Sequence, residues 1–257
     1  MTVWALLLEY NGAAFVGWQR QATGLSVQEV LETAAARLSH GTPTPTIVAG
    51  RTDAGVHAEG QVAQLTLQVP FDNRRLCQAL NFHLKPHLVA VLRADPAPDG
   101  WNARFSATQR TYRYRILNRS ARPALLAGRV WHIPMPLDAE AMHRAAQTLL
   151  GRHDFTSFRA AACQANSPLR TLDRLEVARD GDMINITAAA RSFLHHQVRN
   201  MVGTLRLVGD GRWPESRVRL ALEARDRAAA GPTAPADGLT LLAVTYPQDP
   251  FAPTTRA

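Results

Sequence analysis

The most constraining feature of this chain is the order in which its hydrophobic period changes, because that order occurs twice. Residues 3–10 are an apolar run of buried-strand type. Ser26-Val27-Gln28-Glu29 has the form of a capping box. It opens a helix whose apolar positions Val27, Val30, Leu31, Ala34 and Leu38 fall on one face. Residues 46–49 predict a short strand, 50–60 a polar loop, and 61–69 a half-buried strand with apolar residues at period two. Asp72 caps a helix to about residue 81, and 88–93 are strand-like again. The second half repeats the order. Residues 109–117 predict a strand, and Asp138 caps a helix ended near Gly151. Residues 171–178 and 183–190 flank Asp180-Gly181, a hairpin signal. A helix over 194–208 stops at Gly209, a further helix covers about 216–225, and 239–246 form the last strand.

Each half therefore reads β-α-β-β-α-β, which predicts an α+β chain of two tandem ferredoxin-like units. Each sheet would carry helices on one face and leave the other for partners, with an active-site cleft between the units. The predicted division is 1–105, 106–247 and a C-terminal tail, 248–257. No residue-level repeat accompanies the repeated order.

A chain of 257 residues with 46% apolar and 19% charged residues has enough apolar material for a core, which argues against wholesale disorder. The net charge of +8 points to a polyanionic partner, nucleic acid above all. Lys85 is the only lysine among 29 basic residues. Schiff-base chemistry would have to use that one residue, and the chain has no G-x-x-x-x-G-K-[ST] phosphate loop. Cys77 and Cys163 form no C-x-x-C pair and no disulfide framework, as expected of reduced thiols in a cytoplasmic protein. Met1-Thr2-Val3-Trp4 runs straight into an apolar stretch without a positive n-region, so no signal peptide is expected, and no apolar run approaches membrane-spanning length. The nine histidines and two cysteines show no metal-ligand spacing, and adjacent His195 and His196 would point different ways on a helix.

The densest polar segment is Gly50-Arg51-Thr52-Asp53-Ala54-Gly55-Val56-His57-Ala58. Two glycines permit sharp turns and close approach of a ligand. Arg51 and Asp53 set a fixed cation and a carboxylate two residues apart. By spacing alone, a strand connection with an Asx turn at Asp53 and a surface ion pair is the better account of these residues. Further along, Arg110, Tyr112, Tyr114 and Ile116 share one strand face, with Arg113 and Arg115 on the other.

Several motifs in one order make the chain resemble the tRNA pseudouridine synthase A family over nearly its full length. They are Glu9-Tyr10-Asn11-Gly12, Gly17-Trp18-Gln19-Arg20-Gln21, Gly50 to Ala58, and Ala103-Arg104-Phe105-Ser106-Ala107 with Tyr112-Arg113-Tyr114. Then come His153-Asp154-Phe155-Thr156-Ser157-Phe158, Ser192 to Gly203, and Thr233-Ala234-Pro235-Ala236-Asp237-Gly238-Leu239. One departure is Gln197, where the family pattern leads us to expect Met. The resemblance implies that Asp53 is the catalytic residue and Arg199 its cationic partner. It implies that Tyr112 stacks on the target base, with Leu239 on the other side. Beside that nucleophile, Arg51 can fill the space left by a flipped base or hold its backbone; a plain loop–phosphate contact accounts for it equally well. The implied substrate is uridine at positions 38 to 40 in the anticodon arm of tRNA, isomerised by a homodimer without cofactor or metal. Arg20, Arg104, Arg110, Arg113 and Arg170 are candidate phosphate contacts.

Two other functions fit parts of the sequence. An RNA-binding module without catalysis fits the basic charge and the exposed sheets, but has no use for Asp53. A nucleoside or sugar hydrolase would use Asp53 as nucleophile and release free base, but has little use for so basic a surface.

Overall fold

The computed structural model describes residues 1–252; residues 253–257, part of the predicted tail, lie outside the described residues. The chain is of mixed α+β type and forms two compact units. The first comprises Met1–Arg110 with the chain from Leu241 onward, and the second Thr111–Thr240.

The first unit runs β1 (Thr2–Tyr10), α1 (Val27–Leu38), β2 (Ile47–Val48), β3 (His57–Leu67), α2 (Asn73–Leu84) and β4 (Val89–Pro96). Both helices start where the sequence places them. Ser26 accepts from the Glu29 N–H at 3.1 Å and Asp72 from the Arg75 N–H at 2.9 Å, each satisfying an otherwise orphan donor of the first turn. β3 starts four residues before the predicted strand, because Tyr10 of β1 pairs with Ala58. β1 pairs antiparallel with β3 and with β4, and β2 with β3. Strand alternation puts Trp4, Leu6 and Leu8 into one buried face.

The opposite face was expected to stay open, and it does not. Ala5 and Val62 on that face pack with Trp101, Ala103, Ala107, Tyr246 and Phe251. The Tyr246 ring lies 5.2 Å from that of Trp101, tilted by 46°, and its hydroxyl donates to the Ala103 carbonyl. This second, smaller core is the physical reason that the chain from Leu241 onward groups with the first unit rather than the second. At the β4 edge, the Asn81 amide both donates to and accepts from the backbone of Val91, each at 2.8 Å.

The second unit contains β5 (Gln109–Leu117, cut by the boundary at Arg110), β6 (Trp131–His132), α3 (Ala139–Gln147), β7 (Gly151–Asp154) and β8 (Leu169–Asp180). β9 (Met183–Ala190), α4 (Gln197–Gly209), α5 (Ser216–Ala224) and the start of β10 (Leu239–Thr245) follow. The strand order is β5-β9-β8-β7, with β6 parallel to β5. The two-residue strand β6 and four-residue strand β7 were not foreseen; both are too short to show a period. In the hairpin, Asp180 pairs with Met183, so the loop residues are Gly181 and Asp182 rather than Asp180 and Gly181. Gly181 supplies the positive φ of 55°. α4 begins at Gln197, three residues later than predicted, because His196 adopts a left-handed φ of 61°. His195 and His196 therefore precede the helix, and their rings lie 4.0 Å apart instead of diverging. No helix among the described residues is long and apolar enough to cross a membrane.

Candidate active site

In the first unit, the segment carrying Asp53 is fixed from beneath and from one side. Thr52 is buried, and its Oγ1 lies 2.8 Å from the Tyr10 hydroxyl. Gln61 Nε2 donates to the same hydroxyl at 3.2 Å and to the Gly50 carbonyl at 2.8 Å. Thr52 is anchored inward, while its neighbour Arg51 is exposed and Asp53 is half-buried. Burial pushes the Tyr10 phenol up to about 12, against the opposing hydrogen bonds from Thr52 and Gln61. Tyr10 thus stays neutral beneath the carboxylate at ordinary pH.

The side support is backbone from residues 12–18. Trp18 N–H donates to the Thr52 carbonyl at 3.0 Å, and Gly55 N–H to the Phe15 carbonyl at 3.2 Å. Gly12 N–H donates to His57 Nδ1 at 3.0 Å, which leaves the proton of a neutral ring on Nε2. Such proximity requires glycine. A Cβ at Gly12 would stand 2.0 Å from the Val56 carbonyl oxygen, and one at Gly17 (φ 108°) 2.7 Å from that of Thr52. Two motifs distant in sequence, Glu9 to Gly12 and Gly50 to Ala58, therefore form one rigid feature.

In the second unit, Arg199 lies on α4. Its Nε donates to the Ala234 carbonyl at 2.8 Å, and the Ala234 N–H donates to the Arg199 carbonyl at 3.1 Å. Asn200, fully buried, donates to the Phe158 carbonyl at 2.8 Å and accepts from Thr233 Oγ1 at 2.6 Å and from Arg227 at 3.2 Å. A Cβ at Gly203 would stand 1.7 Å from the Pro232 oxygen, so here too glycine lets a loop lie against a helix. The alternation predicted for β5 is present: Arg110, Tyr112, Tyr114 and Ile116 are buried. Tyr114 donates to the Pro235 carbonyl at 2.8 Å. Burial raises the Tyr114 phenol far above its usual range, although the Arg199 charge opposes this. Tyr112 meets Phe193 edge-to-face at 5.4 Å. Leu239, at the start of β10, is buried. Residues 234–235 thus receive both Arg199 and Tyr114.

The remaining arginines differ in kind. Arg110 is buried and donates to the carbonyls of Ala49, Arg104 and Ala107, so it is a strut within the first unit and not a surface phosphate contact. Arg20 is exposed and paired with Glu32 at 3.4 Å. Arg104 is exposed, and its guanidinium lies 5.6 Å from the Phe105 ring centroid. Arg113 is half-buried. Arg170 is half-buried and donates to the carbonyls of Ser167 and Leu169. Reading the sequence alone missed the supporting roles of Tyr10, Thr52, Gln61, Gly12 and Asn200. The close glycine pair at 12 and 17 was the available signal.

A loop-borne carboxylate held by rigid backbone, in a strongly basic chain, is chemistry suited to a covalent or proton-abstracting step on nucleic acid. Residues 145–247 match the family model described as tRNA pseudouridine synthase. A protein of Acidiphilium cryptum named tRNA pseudouridine synthase A is 69% identical over 252 residues, 98% of this chain and 99% of its own length. Proteins of the same name from Rhodospirillum centenum and Gluconobacter oxydans are 59% and 56% identical, each over 96% of this chain and over 100% and 91% of their own lengths respectively. The chain belongs to the tRNA pseudouridine synthase A family.

Proposed function

We propose that this protein isomerises uridine to pseudouridine in the anticodon arm of tRNA, at positions 38 to 40, with Asp53 as nucleophile. The observation that carries the reading is that the half-buried Asp53 stands on a segment fixed by Tyr10, Gln61 and the glycine-lined backbone of residues 12–18. The reaction breaks the N1–C1′ bond, turns the base, joins C5 to C1′ and releases the C5 proton to solvent as N1 gains one. It involves no net redox change and no hydrolysis, so the chemistry calls for no metal, nicotinamide or nucleotide. The Asp53 carboxylate either adds to C1′, as in retaining glycosidases, or removes a C2′ proton to give a glycal.

The supporting roles follow the family resemblance. Tyr112 stacks on the uracil, which is worth about 1–3 kcal/mol, and Leu239 contacts the base from the other side. Arg199 steadies the carboxylate charge. Arg51 fills the space left by the flipped base or holds its backbone, and Arg20, Arg113 and Arg170 contact phosphates. The same resemblance supports a homodimer, while the repeated element order supports two ferredoxin-like units and the two unpaired cysteines a cytoplasmic setting.

The deciding experiment is carbodiimide labelling of a uridine-containing tRNA incubated with wild type or Asp53→Ala in buffer with chelator. Labelling at positions 38 to 40 by the wild type alone is expected. Equal labelling by both proteins removes Asp53 as the nucleophile.

A further inference from the structure

Residues 101–107 are unusually well anchored for a segment that displays an apolar ring to solvent. Trp101, Ala103 and Ala107 are buried in the smaller core of the first unit. The Ala103 N–H donates to Gln64 Oε1 at 2.6 Å, and its carbonyl accepts from Tyr246. Asn102 Oδ1 accepts from the N–H groups of Arg104 at 2.9 Å and Phe105 at 3.0 Å. Ser106 closes the turn, its N–H donating to the Asn102 carbonyl and its Oγ accepting from the Asn102 N–H, each at 3.0 Å. Arg110 ties the Arg104 and Ala107 carbonyls to that of Ala49, the residue immediately before the Asp53 segment. Yet Phe105, at the centre of this turn, is 74% exposed even with the Arg104 guanidinium lying over its ring.

An exposed phenylalanine forgoes the stabilisation of burial, and one on a rigid backbone loses little further freedom when a ligand arrives. A flat aromatic face beside a fixed cation matches one ligand chemistry closely, a planar base attached to a phosphate. We propose that Arg104 and Phe105 form a second RNA contact, at which an unpaired base of the tRNA stacks on Phe105 while Arg104 binds the adjoining phosphate. This rests on the tRNA reading above and adds a site outside the reacting uridine. Through Arg110 and Ala49, the contact is also tied mechanically to the start of the Asp53 segment.

The test uses the full chain and a tRNA transcript, with Phe105→Leu, Phe105→Trp and Arg104→Gln. Phe105→Leu keeps the apolar volume and removes the aromatic face. It should weaken tRNA binding by about tenfold, the order of one lost base stack. Its single-turnover rate at saturating tRNA and its melting temperature should stay at the wild-type values. Phe105→Trp should retain wild-type affinity. Arg104→Gln should reduce the slope of log Kd against log salt by about 0.7–0.9, one phosphate contact. Wild-type affinity in Phe105→Leu overturns the proposal, as does a change in sedimentation mass of the free protein with tRNA affinity intact, which marks the ring as a protein contact. If the wild type binds tRNA but forms no pseudouridine, the functional reading fails separately, since the affinity measurements do not depend on turnover.

Discussion

The Asp53 segment and the Arg199 helix solve one problem in two ways. Each must hold a charged side chain in a fixed direction. Asp53 lies outside regular structure, so its rigidity is borrowed: backbone from residues 12–18 on one side, and the buried Tyr10, Thr52 and Gln61 groups below. Arg199 sits on α4, whose own hydrogen bonds fix its backbone. There the neighbouring loop is the dependent partner, held by Asn200 and by the Arg199 backbone itself. Damage to the supports should therefore reach the chemistry directly in the first unit. In the second it should show first as lost stability.

The sharpest separation comes from Asp53→Ala, which should lower pseudouridine formation by roughly 10^4-fold or more, as the loss of a nucleophile does. Because the side chain is only half-buried and the segment is held by its neighbours, the urea midpoint should move little. A large shift in that midpoint would make Asp53 a structural residue and break the contrast. Next in size are Gly12→Ala and Gly203→Ala, whose added carbons meet carbonyl oxygens at 2.0 and 1.7 Å. Each should cost about 3 kcal/mol in urea titrations. Gly12→Ala should also depress the single-turnover rate of the protein that remains folded, whereas Gly203→Ala should leave that rate closer to wild type. Equal rate losses in the two variants would erase the distinction. Asn200→Ala strands the Phe158 carbonyl and the Thr233 and Arg227 donors, and should cost about 2 kcal/mol. The smallest effect belongs to Tyr10. Its phenol titrates higher folded than unfolded, near 12 against 10. The stability this contributes is complete below pH 10 and is lost as the pH rises through about 12. Tyr10→Phe should cost about 1 kcal/mol at neutral pH and flatten this alkaline loss. An unchanged alkaline profile in that variant would assign the loss to other groups.

Much of this was legible in the sequence. Capping residues Ser26, Asp72 and Asp138 mark their helices because side-chain acceptors for orphan N–H groups are local features. The alternation of β5 is likewise local. What escaped was long-range. The start of α4 depends on the left-handed turn at His196, which its residue type does not announce. The covered face of the first sheet depends on Tyr246 returning to Trp101 across most of the chain. Arg110 reads as one more surface cation until its carbonyl partners are seen. Asp53 stood out through a family motif, but no spacing rule shows that Gly12 must lie against Val56.

The Asn81 side chain has a consequence for the protein in a crowded solution. By giving and receiving a hydrogen bond at Val91, it imitates a further strand with a single amide. Another polypeptide approaching that margin finds those two backbone groups already taken, which discourages open-ended stacking between molecules. One asparagine thereby helps a basic enzyme remain dispersed at high concentration.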